Sequence, residues 1–265
     1  MSIAGDGRKR PVSNPFSLEG QTALVTGASS GLGRHFALTL AKAGARVAVC
    51  ARRTDRLKEL VEEIEAFDGR AMAFSMDVTD HDSIVSAIDG AETELGATRV
   101  LVNNAGTTVT KKIVDFTVED YDHVMDTNLR GAWLVAQEVG RKMIVHGHGG
   151  SIVNIASMAG IHTVRLLSVY GMSKSGVVHM TRFMAQEWAR YDIRVNAIAP
   201  GYIETELNAD FFASEKGQEF VERFLRKRVG KPADLDGVLL LLASGASDFV
   251  TGTVIEADDG LSLVM

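Results

Sequence analysis

Short apolar runs alternate with amphipathic stretches from Thr22 almost to the end of the chain. Seven runs of four to six residues, rich in β-branched and other apolar side chains, predict β-strands at Thr22–Thr26, Arg46–Cys50, Ala71–Met76, Val100–Asn103, Ser151–Ile155, Arg194–Ile198 and Thr253–Glu256. The stretches between them have helical periodicity. Because the runs are apolar on both faces and too widely spaced for hairpins, we expect parallel strands joined by helical crossovers. The pattern predicts an α/β fold of three layers, with a doubly wound, mostly or fully parallel sheet of about seven strands.

The two ends of this pattern suggest how the chain is organised. Residues 1–16 are rich in glycine, serine and charge, show no periodicity, and predict a flexible N-terminal tail. Residues 17–265 contain no repeat and no linker, so we expect one domain. Within it, the region Glu204–Arg228 is longer than a plain crossover and has an apolar face that can fold over a ligand, formed by Phe211, Phe212, Phe220, Val221 and Phe224.

Composition excludes several classes of protein. The 265 residues are 46% hydrophobic with a formal charge of −6, which allows a large core and gives no nucleic-acid footprint. The single cysteine, Cys50, leaves no disulfide framework, and the pair His146 and His148 lacks a third ligand, so we expect no metal. No apolar stretch reaches the roughly 18 residues of a membrane span, and no secretory signal is visible. We expect a cytoplasmic protein with no membrane or nucleic-acid partner.

A glycine-rich turn separates the first strand from the first helix. The sequence from Thr26 to Gly33 has the spacing G-x-x-x-G-x-G, which allows a sharp turn and the close approach of a pyrophosphate to a helix N-terminus. A plain connector is the alternative, and a P-loop is excluded because no Gly-Lys-Ser/Thr follows. After the first strand of an alternating chain, the turn predicts a nucleotide site that uses Gly27, Ser29, Ser30, Gly31, Leu32 and Gly33.

The end of the second strand suggests which dinucleotide binds. An NAD site usually carries a carboxylate there for the ribose diol, whereas this chain has Arg52 and Arg53. Arginine suits a 2′-phosphate because its planar fork offers paired, charge-assisted hydrogen bonds. NADP(H) is therefore preferred, with NAD(H) possible and two solvated arginines as the plain alternative. Asp77 and Val78 end the third strand, where Asp77 suits either the adenine amino group or a helix cap.

Tyr170 and Lys174 stand four residues apart in a segment with helical periodicity. Residues at this spacing share a helix face, so the ammonium can lie near the phenol and favour its ionised form. That pair suits the proton transfer of carbonyl–alcohol interconversion. A half-buried tyrosine beside a solvated lysine would give the same spacing.

Taken together, these motifs resemble the short-chain dehydrogenase/reductase family, in its single-domain branch with a Rossmann fold. The matching residues are the TGASSGLG turn, Asn103–Gly106, Asn128, Ser157, Tyr170, Lys174, Pro200, Gly201 and Thr205. The likeness extends from about Leu18 to Leu263. It implies a catalytic domain whose lid spans residues 203–228.

The resemblance implies a role for each matching residue. Tyr170 would be the acid and base, Ser157 would orient the substrate oxygen, and Lys174 would lower the tyrosine pKa and bind the nicotinamide ribose. Asn128 would hold a water in the proton relay. Around the cofactor, Asn104, Ala105 and Gly106 would support the adenosine pocket, and the nicotinamide side would be lined by Pro200, Gly201, Ile203 and Thr205.

These roles describe an NADP(H)-dependent oxidoreductase that interconverts a ketone and a secondary alcohol. The substrate would be a 3-oxoacyl thioester or a small ketone. Reductases that accept carrier-protein substrates commonly have basic residues where this chain has His148 and Tyr191. This difference argues against a substrate that is bound to a carrier protein. The alternatives are a sugar or polyol dehydrogenase that uses NAD(H), and, less favoured, a non-catalytic nucleotide-binding regulator.

Partner predictions also follow from the resemblance. Helices around Val118–Met143 and Tyr170–Arg190 resemble those that pair in the family's tetramers, so we expect a homotetramer. The apolar ending Leu261–Met265 would form a second contact, although core-facing stripes would look the same. His162 lies in the loop between Ser157 and Tyr170, a position that suits either contact with a small-molecule substrate or a plain loop residue.

Overall fold

Seven parallel strands form one sheet in the computed structural model, which describes residues 14–206 and 208–264. The strands are β1 (Thr22–Thr26), β2 (Arg46–Ala51), β3 (Arg70–Ser75), β4 (Thr98–Asn103), β5 (Gly150–Ile155), β6 (Ile193–Pro200) and β7 (Val254–Ala257). Their order is β3-β2-β1-β4-β5-β6-β7, and each neighbouring pair is parallel. The predicted fold class is confirmed, with strand bounds within two residues of those expected. The predicted tail lies outside the described residues except for its last three.

Helices cover both faces of the sheet. They are α1 (Gly31–Lys42), α2 (Thr54–Glu65), α3 (His81–Leu95), α4 (Val118–Met125), α5 (Ala132–His146), α6 (Ser168–Trp188), α7 (Ala209–Ala213), α8 (Glu215–Val221) and α9 (Asp236–Ala243). Apolar residues of α1, α2 and α9 pack in one core cluster, and those of α3, α5 and α6 pack in another. Within the described residues, none of these helices has the length and apolar character needed to cross a bilayer.

Successive residues of the central strands supply the two cores. In β1, Leu24 belongs to the α3, α5 and α6 side, and its neighbour Val25 belongs to the α1, α2 and α9 side. Leu101 and Val102 of β4 alternate in the same way, and all four side chains are fully buried. Each such side chain contributes roughly 1.5–3 kcal/mol of transfer free energy. This double burial is why the strands lack the apolar–polar alternation of a half-exposed sheet.

The strand order reverses at β1. β1 pairs with β2 on one side and with β4 on the other, so the crossovers leaving the two carboxyl ends run to opposite faces. A crevice opens at such a switch point, and open α/β sheets bind their ligands there. The fold therefore places the glycine-rich turn after β1 and the Asn103–Gly106 segment after β4 on the two sides of one crevice.

A π-helical turn, Asp126–Gly131, joins α4 to α5. The helical periodicity of Val118–Met143 gave no sign of this wider turn. Gly131 lies where a Cβ atom would be 2.7 Å from the carbonyl oxygen of Val78, so glycine permits close contact there. The turn holds Asn128 at its centre with no exposed surface, and such turns are frequent at functional sites.

The region after β6 contains two short helices, α7 and α8, and an aromatic cluster. Tyr202 stacks on Phe224 with ring centroids 5.6 Å apart and meets Phe212 and Phe220 edge-on. Phe212, Phe224 and Leu261 are buried in a third apolar cluster. Leu261 therefore packs within its own chain, whereas Leu263 is exposed.

Candidate active site

A cleft of about 900 Å³ lies along the carboxyl ends of the central strands. That volume is in the range of ligand pockets. Its walls combine the glycine-rich turn, the end of β2, the segments after β4 and β5, the start of α6 and the segment after β6. The predicted site residues that line it are Gly27, Ser29, Ser30, Gly31, Leu32, Arg52, Arg53, Asp77, Val78, Asn104, Ala105, Gly106, Ser157, Tyr170, Lys174, Pro200, Gly201, Ile203 and Thr205.

Two predicted residues lie behind the cleft wall. Gly33 faces the turn itself, since a Cβ atom there would lie 2.4 Å from the carbonyl oxygen of Gly27. Asn128 is fully buried. The glycine at position 33 allows helix α1 to pack against the turn, and its contact with a cofactor stays a prediction.

The glycine-rich turn exposes the N-terminus of α1 to the cleft. Gly27 and Gly31 have φ angles of +67° and +55°, which glycine adopts without steric cost. Ser30, which caps α1, makes no side-chain capping hydrogen bond, and the first N–H groups of a helix have no partner within it. These N–H groups and the helix dipole suit a pyrophosphate.

Two arginines stand at the nucleotide end of the cleft. Arg53 donates from Nε and Nη2 to Ser29 Oγ, at 3.2 and 2.9 Å, and from Nη2 to Ser30 Oγ at 2.8 Å. Arg52 is largely exposed, and its Nη1 lies 3.9 Å from Asp77 Oδ2. The backbone N–H and the hydroxyl of Thr79 both donate hydrogen bonds to Asp77 Oδ1, and both bonds lower the pKa of Asp77. Among the described residues no carboxylate forms an ion pair with Arg53, and a guanidinium bonded to the turn in this way suits a 2′-phosphate.

Tyr170, Ser157 and Lys174 meet at the other end of the cleft. Ser157 follows β5, Tyr170 is the third residue of α6, and Lys174 stands one turn later. Lys174 Nζ donates to the carbonyl oxygen of Ile155 at 2.8 Å and lies 5.8 Å from the Tyr170 ring centroid. Ser157 Oγ accepts from the backbone N–H of Ala159 at 3.1 Å and lies close enough to the Tyr170 hydroxyl to affect its pKa. The predicted pair thus shares a helix face, as its spacing indicated.

Burial determines the direction of the pKa shifts of Tyr170 and Lys174. Burial raises the pKa of Tyr170, and the nearby Tyr202 acts in the same direction, whereas the hydrogen bond with Ser157 opposes them. Lys174 Nζ donates to the Ile155 carbonyl and lies 5.8 Å from the Tyr170 ring centroid, and its effect on the tyrosine pKa stays a prediction. Burial lowers the pKa of Lys174 itself to about 8.

Asn128 connects the π-helical turn to both neighbouring segments. Its Oδ1 accepts from the backbone N–H of Thr107 at 2.7 Å, and its Nδ2 donates to the Thr107 carbonyl at 2.8 Å and to Ser173 Oγ at 3.0 Å. A Cβ atom at Gly106 would lie 3.3 Å from Asn128 Oδ1 and 3.6 Å from Lys174 Nζ. Asn128 and Lys174 therefore flank the same glycine at the base of the cleft.

Several cleft residues had no sequence signal. They come from separate segments that only the fold brings together: Thr107, Thr108, Thr110, His123, Thr127, Val164, Leu167, Tyr202 and Asn208. Met158, next to Ser157, also lines the cleft. His162 does not, because its Nε2 pairs with Glu256 Oε2 at 2.7 Å. Among the described residues, no group of three histidine, cysteine or carboxylate side chains is placed to bind a metal.

Comparison with known proteins gives consistent matches. A family model described as short chain dehydrogenase matches residues 21–216. The chain is 39% identical over 246 residues to a 2-dehydro-3-deoxy-D-gluconate 5-dehydrogenase from Escherichia coli, covering 92% of this chain and 96% of that protein. It is 40% identical over 245 residues to a 3-oxoacyl-(acyl-carrier-protein) reductase from Thermotoga maritima, covering 92% and 98%.

A solved structure agrees with these matches. The gluconate 5-dehydrogenase from Burkholderia cenocepacia, in complex with NADP and tartrate, superposes with a TM-score of 0.90 at 35% identity, covering 95% of this chain and 98% of that one.

The buried Lys174 gives a test of this geometry by stability. We expect Lys174→Met to raise the free energy of unfolding of the cofactor-free protein at neutral pH, because a pKa lowered from 10.5 to about 8 corresponds to a cost of roughly 3 kcal/mol at most. Between about pH 8 and pH 10.5, Lys174 of the unfolded chain keeps a proton that Lys174 of the folded chain has lost. The wild type therefore gains stability as the pH rises through this range. The difference between the two proteins should therefore shrink from about pH 7 to about pH 9.5, measured by urea unfolding.

Lys142→Met is the matched control. Lys142 bonds to Asp89, which raises its pKa, so this substitution should lower stability at neutral pH. A Lys174→Met protein that is less stable than the wild type at both pH values would contradict the interpretation of Lys174 as a costly buried cation.

Proposed function

This chain belongs to the short-chain dehydrogenase/reductase family, and we propose that it interconverts a ketone and a secondary alcohol with NADP(H), using Tyr170 as acid and base. As a member it is an oxidoreductase that acts on alcohol or carbonyl groups with a nicotinamide cofactor. The observation that carries the proposal is the convergence of Tyr170, Ser157 and Lys174 at one end of a cleft whose other end holds the glycine-rich turn and Arg53.

Proton transfer is the task of the protein in this reaction. The nicotinamide, when bound, supplies or accepts the hydride. In reduction, Tyr170 donates its proton to the substrate oxygen, and its raised pKa means that the phenol is protonated at neutral pH. In oxidation, Tyr170 accepts the proton, and the hydrogen bond with Ser157 favours the phenolate. Ser157 also orients the substrate oxygen.

Lys174 and Asn128 support the proton path. Lys174 retains donors beyond the one given to Ile155, which suit the nicotinamide ribose and a water. Asn128 fixes Thr107 and Ser173 on the two sides of the π-helical turn, and its Oδ1 faces the same space as Lys174. We assign to Asn128 the positioning of the relay water beside Lys174.

The remaining predicted contacts divide the cofactor into two halves. The adenosine half would lie against Arg52, Arg53, Asp77 and Val78, with Asn104–Gly106 beneath it. The nicotinamide half would lie against Pro200, Gly201, Ile203 and Thr205. Thr205 faces Gly31, since a Cβ atom at Gly31 would lie 3.6 Å from Thr205 Cγ2. The two halves of the cleft therefore meet where the pyrophosphate would cross. Because the adenosine half contains Arg52 and Arg53, NADP(H) is preferred over NAD(H).

The substrate classes differ among the relatives. The Thermotoga maritima relative is named as a 3-oxoacyl reductase, and the Escherichia coli relative as a sugar-acid dehydrogenase. The apolar cluster around Tyr202 supports a 3-oxoacyl thioester or a small ketone as the substrate, beneath a lid formed by residues 203–228 of the single domain. A sugar or polyol dehydrogenase that uses NAD(H) is the alternative.

We further propose that the protein is a homotetramer. Large apolar side chains are exposed on α5 and α6, with Trp133 at 44%, Met172 at 52% and Phe183 at 56%. Beside them, a groove is lined by Met125, Asp126, Leu129, Arg130, Trp133 and Met180. Exposed apolar surface of this kind on two adjacent helices suits contact with a second copy.

Substitution of Tyr170 tests the chemistry. We expect Tyr170→Phe to lower kcat by about 10²- to 10⁴-fold because the proton donor is lost, while NADPH affinity changes little. Steady-state kinetics and NADPH fluorescence titration measure the two effects. Tyr191→Phe, outside the cleft, is the control and should keep full turnover. Undiminished turnover in Tyr170→Phe would refute the mechanism. If the protein is instead a non-catalytic nucleotide-binding regulator, neither the wild type nor Tyr170→Phe would show turnover.

Substitution of Arg53 tests which nicotinamide cofactor the protein prefers. We expect Arg53→Ala to raise the KM for NADPH by about 10- to 100-fold, the effect of a lost hydrogen bond to a charged group, and to leave the KM for NADH nearly unchanged. Both are read from absorbance of the reduced nicotinamide. Lys58→Ala, on the exposed face of α2, is the charge control. Equal changes for NADPH and NADH would argue against a 2′-phosphate contact.

The assembly is tested by light scattering. We expect the wild type to have the mass of four chains, and Phe183→Asp to lower that mass because burying an unpaired carboxylate at an interface is costly. Lys58→Glu, away from α5 and α6, should leave the tetramer intact. A wild-type monomer at micromolar concentration would exclude the proposal, and circular dichroism would verify that each variant is folded.

A further inference from the structure

Charge is unevenly distributed in the cleft. Among the described residues that line it, the charged side chains are Arg52, Arg53, Asp77 and Lys174. The first three stand at the nucleotide end. Lys174 is 4% exposed, lies at the base beside Tyr170 and donates to the Ile155 carbonyl. No described lining residue beyond Tyr170 is a lysine, arginine, aspartate or glutamate.

The part of the cleft beyond Tyr170 has two different walls. One wall is polar, formed by the hydroxyls of Thr107, Thr108 and Thr110 with the imidazole of His123, whose Nε2 is 3.2 Å from Thr107 Oγ1. The other is apolar, formed by Met158, Val164, Leu167 and Tyr202. Tyr202 is held in the aromatic cluster by Phe224.

Among the described residues, the cations nearest in sequence do not line the cleft. Lys111, which follows the threonines, is paired with Asp120. Arg228 is paired with Asp234 at 2.8 Å and with Asp259 at 2.9 Å. Arg165 is exposed on the loop that carries Val164 and Leu167, and it does not line the cleft.

A carboxylate that entered this space would lose hydration without gaining a fixed counter-ion. Burying an unpaired charge is costly, and proteins that select carboxylates commonly use an arginine fork. Hydroxyl and imidazole groups, by contrast, satisfy the oxygen atoms of esters, thioesters, amides and alcohols.

On the basis of the proposed function, we propose that the part of the substrate bound beyond Tyr170 is uncharged, with one polar edge and one apolar edge. This class includes neutral 3-oxo esters, thioesters and amides. It excludes sugar acids that place their carboxylate in the cleft, even though several relatives are named for such substrates. Identity of 35–39% to those relatives does not carry their substrate to this chain.

The experiment compares pairs of compounds that differ in charge and hardly in shape. The pairs are acetoacetamide with acetoacetate, reduced with NADPH, and gluconamide with gluconate, oxidised with NADP⁺. Assays are run at about pH 8, where an ordinary histidine is neutral. For each pair that reacts, we expect kcat/KM to be at least about 30-fold higher for the amide, the effect of a buried charge left unpaired. Competition against a reacting ketone gives the same ratio as inhibition constants for a pair that does not react.

A charge introduced on the polar wall supplies the complementary test. Thr110→Arg should raise the ratio of kcat/KM for the acid to kcat/KM for the amide at least about 10-fold, because it adds the missing counter-ion. Thr110→Gln, which is long and neutral, changes the same wall without adding charge and should leave that ratio near its wild-type value. Preference of the wild type for the acids would overturn the inference, and loss of that preference in Arg165→Ala would identify the counter-ion used instead.

The proposed function fails under a different result. If the protein binds NADPH but reduces no ketone of a wider panel, neutral or charged, the reaction itself is wrong and this inference falls with it. If neutral ketones are reduced and the acids are reduced equally well, the reaction stands and the uncharged site alone is refuted.

Discussion

The hydroxyl of Thr26 joins the two loops on which the cleft is built. It accepts the backbone N–H groups of Asn104 and Ala105 at 2.9 and 3.0 Å, and the Asn104 side chain donates back to the Thr26 carbonyl at 2.9 Å. Because strand order reverses at β1, the segments after β1 and β4 would otherwise separate toward opposite faces of the sheet. Glycine at position 27 makes the contact possible, since a Cβ atom there would lie 2.9 Å from the Ala105 Cα atom. The positions of the exposed helix N-terminus and of the cleft floor both depend on this link.

The reactive end of the cleft is organised around a cation that the fold does not neutralise. Lys174 is buried without a carboxylate partner among the described residues. Burial favours the neutral form of the neighbouring Tyr170 phenol, so the phenol supplies no negative charge to pair with it. Such an arrangement lowers stability, and proteins keep it where function requires it. The ligand then becomes part of the electrostatic design, because a bound group that accepts hydrogen bonds from Lys174 adds to the one that the Ile155 carbonyl already accepts.

Sequence reasoning captured the features set by local chemistry. The strands follow from apolar runs, the turn from its glycines, and the Tyr170–Lys174 pair from helical spacing, and all of these appear in the fold. Sequence reasoning failed in two other cases. The π-helical turn at Asp126–Gly131 was missed because it leaves the apolar periodicity almost unchanged. The direction of His162 was missed because it depends on Glu256, which lies 94 positions later. The neutral wall of threonines became visible only when β4, α4 and α6 were brought together.

The strand order has a consequence for how the protein is made. The nucleotide end of the cleft is complete once the chain has been synthesised through Gly106, because β1, β2, β3 and β4 and the turn after β1 all precede it. The reactive end needs β5, α6 and β6 as well, and therefore residues up to about Thr205. Because synthesis runs from the N-terminus and domains generally fold as units, the segments of the nucleotide end are made before any residue of the acid–base machinery, and the complete domain forms only after both are present.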